Sequence, residues 1–195
     1  MTRSLSDDRP DEPADRTESG GDAVADAEPA TVTGGAAGDD PGRIKVGVGE
    51  LAVTSDDAVL TTSGLGSCVA VALVDQRAGV RGLLHAMLPA GEGRTKAISR
   101  PAKYVDTGID SLIGALDDAG ADPRRLEARV AGGAEMLDLT DAVGPRNVER
   151  VGEVLDAAGV PVVASDVGDA VGRTVRFGPD GRLVVRAADG FERAI

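Results

Sequence analysis

Cys68 and His85 are the single cysteine and the single histidine of this chain, 17 residues apart. A thiol becomes a strong nucleophile only as the thiolate, and an imidazole within hydrogen-bond reach takes its proton. The cysteine ends the run Thr62-Ser63-Gly64-Leu65-Gly66-Ser67-Cys68. Two glycines and small hydroxyl residues there leave backbone N–H groups accessible and let a substrate approach closely. Gly66 and Ser67 are therefore the candidate oxyanion and substrate loop, since a tetrahedral intermediate needs such donors. Each residue taken singly also has a plainer reading. Free cysteine is among the most buried residue types, and a lone histidine in an apolar strand is often a satisfied core group. Spacing alone leaves both readings open.

Composition removes several other chemistries. One cysteine makes no intramolecular disulfide and points to a reducing, cytoplasmic setting. One Cys and one His do not supply a structural zinc site, so no metal is expected. Aromatic residues are 2% of the chain and the net charge is −12, which argues against base stacking and against phosphate-backbone binding. Ala131-Gly132-Gly133-Ala134 follows a strand pattern but matches neither the dinucleotide fingerprint nor the phosphate loop. Its glycines read as a tight backbone crossing, and no organic cofactor is expected. A thiol redox sensor lacks a second cysteine to resolve the oxidised form. The 21 basic residues against 33 acidic ones, with only three lysines (Lys45, Lys96 and Lys103), suggest adaptation to high salt, as in a halophilic archaeon. Dense salt screens carboxylate repulsion.

The elements that must position these residues begin late. Residues 1–43 carry 11 acidic and 4 basic side chains, four prolines and few large apolar residues. Such a stretch buries too little apolar area to offset its ordering entropy, so it reads as a disordered acidic tail. It has no apolar signal core, and no run of the chain is long and apolar enough to span a membrane. From residue 44 the texture is that of a folded domain, 44–195. Strand patterns cover 44–53, 59–62, 69–74, 82–88, 126–130, 160–164, 173–177 and 182–186, the last two joined by a Gly-Pro-Asp-Gly turn. Val105, Ile109, Leu112, Ile113 and Leu116 form a helical stripe over 101–119, with Ser99 as its cap and Gly120 as its end. A second helix covers 146–158, stopped by Gly159. Strands apolar on both faces are covered from two sides. The expectation is α/β: a single-domain layered α/β sandwich, strand-rich, with two principal helices.

Read in order, several segments resemble the chemoreceptor glutamine deamidase family, CheD. They are Gly47-Val-Gly-Glu50, Leu65-Gly-Ser-Cys-Val-Ala-Val71, His85-Ala-Met-Leu-Pro89, Lys103-Tyr-Val-Asp106, Ala131-Gly-Gly-Ala-Glu-Met136, Arg146-Asn-Val-Glu149 and Ala164-Ser-Asp-Val-Gly168. The resemblance spans nearly all of 44–195 and excludes the tail. It implies a layered α/β sandwich with a Cys-His-Thr site: Cys68 as nucleophile, His85 as base and acid, and Thr62 as third member. Thr61 stands next to Thr62, and a one-residue shift exchanges their roles; the six-residue spacing to Cys68 favours Thr62. Where the family usually continues with a glycine pair, Gly168 is followed here by Asp169-Ala170. The implied activity is deamidation of glutamine side chains on chemotaxis receptors (methyl-accepting chemotaxis proteins) through a thioester, with no cofactor. The implied partners are receptor cytoplasmic domains and a CheC-type phosphatase of the response regulator. The rival reading is a non-catalytic binding partner and regulator of that phosphatase.

Whether Cys68 meets His85 depends on strand register. Opposed residues of an antiparallel pair have a constant index sum and share a face. If Val74 opposes Gly79, Cys68 lies directly opposite His85, and Asp75–Ala78 form the turn. A slip to an even sum sends His85 through the sheet. The odd register is the expectation. Deletion of residues 1–42 is expected to leave a folded, active domain. A truncated protein with a much lower melting temperature by circular dichroism would overturn the tail assignment.

Overall fold

The computed structural model describes residues 42–90, 100–135 and 142–195. The tail through residue 41, the proposed Ser99 cap and Met136 lie outside the described residues. Within them, ten strands form two five-stranded sheets, accompanied by two α-helices. The first sheet has the order β1 (Arg43–Lys45), β3 (Val59–Leu65), β8 (Arg173–Phe177), β9 (Leu183–Ala187) and β10 (Glu192–Ala194). The second has the order β2 (Glu50–Thr54), β5 (Val80–Ala86), β4 (Val69–Asp75), β6 (Glu127–Gly132) and β7 (Val162–Val167). Helices α1 (Val105–Asp118) and α2 (Val143–Ala157) cover one face of the second sheet.

The layers follow from side-chain alternation. Val69, Val71, Leu73 and Leu84 join Ile109, Leu112, Leu116, Val151 and Leu155 in a core beneath the helices. Ala70, Ala72, Val74 and Leu83 point the other way and meet Leu60, Leu65, Val175, Phe177 and Leu183 of the first sheet. The molecule is thus a helix–sheet–sheet sandwich, which is why β4 and β5 are buried at every position.

Local chemistry moves several boundaries. The apolar run 44–53 is two strands, broken by a turn in which Gly49 takes φ 70°. The helix expected over 101–119 is a 3-10 turn at Pro101–Lys103 followed by α1. Between them Tyr104 is extended and bridges Leu88. α2 begins three residues earlier than its stripe, because Pro145 falls in the first turn, where its missing N–H costs nothing. β10 was not expected; it is only three exposed residues long.

The β4–β5 register has an odd index sum, 155. Val74 opposes Arg81 rather than Gly79, so the expected direct Cys68–His85 opposition is corrected to a step of two residues. Asp75 explains the difference. It stays in the strand opposite Val80, and its carboxylate accepts the N–H groups of Arg77 and Ala78 at 3.0 and 3.2 Å. The turn is therefore Gln76–Gly79, closed by Gly79 at φ 67°.

The same Asp75 carboxylate takes the Arg125 guanidinium at 2.6 Å and the Asp122 N–H at 2.9 Å, while only 1% exposed. The Arg125 hydrogen bonds hold its carboxyl well below the usual range. Asp75→Ala leaves three N–H groups without their acceptor and takes from Arg125 one of its two carboxylates, Asp122 remaining, and is expected to cost about 3 kcal/mol, read by urea unfolding at pH 7. A depressed carboxyl contributes stability above its unfolded value and loses it as pH falls. The gap between wild type and Asp75→Asn should therefore narrow below about pH 4; a gap constant from pH 7 to pH 3 would contradict the pairing.

Candidate active site

The three candidate residues come from both sheets. Alternation puts His85, between Leu84 and Ala86 of the helix-side core, into the layer between the sheets. It opposes Ala70 on β4 and Glu50 on β2. Cys68 immediately precedes β4, and its half-buried side chain packs against that same interlayer core. With the odd register the thiol and the imidazole share a face of the sheet, as diagonal neighbours. Such neighbours lie roughly 7–8 Å apart between α-carbons, somewhat less between β-carbons.

Thr62 reaches the site from the opposite sheet. On β3, Leu60 and Thr62 turn inward, whereas Thr61 and Ser63 turn outward. Thr62 Oγ1 lies 2.7 Å from His85 Nδ1, a buried hydrogen bond across the sandwich. Thr61 pairs with Lys45 and Arg176 on the outer face and takes no part. With Nδ1 engaged, Nε2 of His85 is the remaining ring nitrogen, and it is buried without a hydrogen-bond partner among the described residues.

The loop to Cys68 is held by its carbonyls. β3 bulges at Gly64, φ 76°, which turns Leu65 back into the core. The carbonyl of Gly66 then accepts the Ala134 N–H, and that of Cys68 accepts the Gly133 N–H, both at 2.8 Å. The Ser67 carbonyl accepts Asn147 Nδ2 at 2.8 Å. Three anchored carbonyls in succession fix the loop; the Gly66 N–H is spent on the Gly64 carbonyl at 3.0 Å, which corrects the expectation for Gly66 and leaves the Ser67 and Cys68 N–H groups as the candidate oxyanion donors. Gly132 and Gly133 make the close crossing: a β-carbon on Gly132, at φ 103°, would stand 2.4 Å from the Cys68 oxygen. The neighbouring segment contains the departure noted above. Asp169 takes φ 53°, a conformation that Asp tolerates better than most residues. Its carbonyl accepts the Glu135 N–H at 2.8 Å.

Asn147 is the residue that sequence reasoning left among the matching segments without a role. It is fully buried on α2. Its Nδ2 donates both to Ser67 O and to Met87 O, at 2.8 and 3.0 Å. One amide therefore ties the residue before the thiol to the residue two beyond the imidazole. A polar residue among the apolar positions of α2 was the available signal, since a buried amide demands partners.

Electrostatics keep the resting site uncharged. Burial pulls the His85 pKa down to about 4, against a smaller opposing effect of the Glu50 carboxylate. Burial pushes the Cys68 thiol up, partly offset by its own backbone N–H. At neutral pH the pair is thiol and neutral imidazole, not thiolate and imidazolium. A neutral Nε2 is a base able to take a proton at the moment of attack.

Fold and side chains define an α/β sandwich protein carrying a thiol, an imidazole and a hydroxyl around one layer. The model of the family described as CheD chemotactic sensory transduction matches residues 87–187. A Haloarcula marismortui protein, named a probable chemoreceptor glutamine deamidase CheD, is 46% identical over 153 residues, covering 76% of this chain and 87% of that one. A Thermotoga maritima chemoreceptor glutamine deamidase CheD is 41% identical over 150 residues, covering 76% and 94%. A Natronomonas pharaonis relative, again a probable CheD, is 39% identical over 158 residues, covering 78% and 93%. The chain belongs to the CheD family.

Asn147→Ala is expected to free both carbonyls and lower kcat about tenfold, with a smaller change in KM, because it loosens the spacing of the site rather than the substrate contact. Asn147→Asp, whose carboxylate has no N–H to donate to either carbonyl, should behave alike. Wild-type kcat in both variants would dismiss the clamp.

Proposed function

We propose that this chain deamidates glutamine side chains of chemotaxis receptors to glutamate, with Cys68 as nucleophile, His85 as base and acid, and Thr62 as the orienting group. The observation that carries the reading is the Thr62–His85 hydrogen bond, which leaves a neutral Nε2 in the layer that also takes the thiol. The names of the relatives supply the substrate class.

The chemistry follows from these groups. His85 carries its proton on Nδ1 and donates it to Thr62 Oγ1, so that Nε2 is the base. Nε2 removes the Cys68 proton as sulfur bonds to the glutamine amide carbon. The carbonyl oxygen becomes an oxyanion, met by the N–H groups of Ser67 and Cys68. The imidazolium then returns its proton to the amide nitrogen, the C–N bond breaks, and ammonia leaves. A thioester remains. Water, deprotonated at Nε2, attacks its carbonyl; the C–S bond breaks, and glutamate and the thiol are restored. The transient imidazolium is the charge that Glu50, directly across β2–β5, favours. Cys68 and His85 use every proton they release, and no cofactor enters the cycle.

Acting on receptor cytoplasmic domains places this activity on the cytoplasmic side of the membrane. The family resemblance also brings a CheC-type phosphatase as a second partner. Its binding is expected to survive Cys68→Ala, which separates a binding role from the catalytic one. The acidic stretch before β1 is assigned to neither role, and residues 44–195 are taken as the catalytic unit.

Mass spectrometry of a receptor cytoplasmic domain tests the reading through the amide-to-acid mass change. Cys68→Ala and His85→Ala should abolish it with unchanged circular dichroism; full activity in Cys68→Ala would end the mechanism. Thr62→Ala removes the acceptor of Nδ1–H and is expected to lower kcat about a hundredfold, whereas Thr62→Ser keeps most of it. A pair that works with one shared proton is active between its two pKa values. kcat/KM should therefore hold level from pH 5 to pH 8 and fall toward pH 4. An acid limb at about 6.5, the value of an exposed histidine, would contradict the buried imidazole.

A further inference from the structure

The outer face of the first sheet is basic, although the chain carries a net charge of −12. Register puts the cations there. Lys45 lies beside Thr61, and Thr61 beside Arg176; Ser63 lies beside Thr174, and Thr174 beside Arg186. Opposed residues share a face of the pleat, so Lys45, Arg176 and Arg186 project from the same side, with Arg43 on β1 two residues before Lys45. They line a hollow of about 420 Å³, and a second of about 330 Å³ continues past Arg43 and Arg176 to Arg182.

This charge is only partly compensated. Arg176 is held by the Glu192 carboxylate at 3.1 Å, Glu192 also lies opposite Arg186 on β10, and Asp180 stands beside Arg182 in the second hollow. Arg43, Lys45 and Arg186 are exposed and make no ion pair among the described residues. The cations in excess repel one another, and an anionic occupant offsets that. The hydroxyls of Thr61, Ser63 and Thr174 add donors along the same trough. No aromatic ring lines either hollow, which removes the stacking platform of a nucleic-acid site. No helix N-terminus enters either of them, so the usual phosphate cradle is missing as well. Two shallow hollows in series suit a polypeptide bearing carboxylates.

The trough also lies against the site. Thr62 turns its hydroxyl inward to His85 while its neighbours Thr61 and Ser63 turn outward into the trough. Beyond Ser63 the strand bulges at Gly64 and enters the loop that carries Cys68. Four residues separate Ser63, at the end of the trough, from Cys68.

We propose that this face is an exosite for a carboxylate-rich segment of the receptor flanking the glutamine to be deamidated. The proposal rests on the receptor-deamidase reading above, and the test separates the two. Binding of a receptor cytoplasmic domain is measured by calorimetry in the Cys68→Ala background, where no turnover occurs. Adding Arg43→Gln, Lys45→Gln and Arg186→Gln should raise Kd at least tenfold and flatten the dependence of Kd on salt. The charge-conserving set Arg43→Lys, Lys45→Arg and Arg186→Lys should bind within about threefold of its parent. With Cys68 present, the neutralised protein should be alkylated by iodoacetamide at the wild-type rate, showing an intact site. An unchanged Kd overturns the exosite. So does an unchanged Kd accompanied by loss of inorganic polyphosphate binding, which would assign the face to phosphate. Receptor binding that depends on these cations in a wild type without deamidation would instead uphold the face and reject the catalytic reading.

Discussion

The hydrogen bond between Thr62 Oγ1 and His85 Nδ1 joins side chains from two different sheets, and it exists only at one stacking of those sheets. Packed sheets lie about 10 Å apart, with the inner side chains interdigitated. A neutral hydrogen bond contributes only about 1 kcal/mol net, so it does not set that stacking. The apolar layer does. Leu60, Leu65, Val175 and Phe177 from one side meet Ala70, Ala72 and Leu83 from the other. Small residues on β4 facing large ones on β3 and β8 let the sheets close until hydroxyl and imidazole touch.

Burial has a second consequence. The same layer that positions His85 strips water from it, lowering its pKa to about 4, and raises that of the Cys68 thiol. The thiol is therefore held protonated beside a neutral imidazole. The thiolate is the form that oxidises readily; a half-buried thiol oxidises less readily. The Asn147 clamp and the Gly132–Gly133 crossing fix the loop by its carbonyls, so the backbone before Cys68 is set in place by hydrogen bonds from two other elements.

Charge is sorted across the molecule in the same way. At neutral pH the thiol and the imidazole of the interlayer site are both uncharged. Cations gather instead on the outer face of β1, β3, β8 and β9, one residue out of phase with the inward-facing Thr62. Strand alternation allows a single strand to serve a dry layer and a charged surface at once.

Much of this was legible in the residues themselves. The cysteine and the histidine are unique, the loop before Cys68 is made of small residues, and the helical stripes and glycine stops mark α1 and α2, because periodicity and backbone permissiveness are local properties. The odd parity of the β4–β5 register was expected from a short turn ending at Gly79, and the structure has it. The exact offset of that register was not legible, because it turns on the Asp75 carboxylate keeping its residue in the strand, a side-chain contact completed by Arg125 fifty residues away. Which of Thr61 and Thr62 touches His85 is likewise decided by which face of β3 meets the second sheet, and Asn147 gained its place only when α2 packed over the two carbonyls that it bridges. Sequence determined which groups and which local elements this protein has; the tertiary structure decided which of them touch, because contacts between sheets are fixed by packing rather than by distance along the chain.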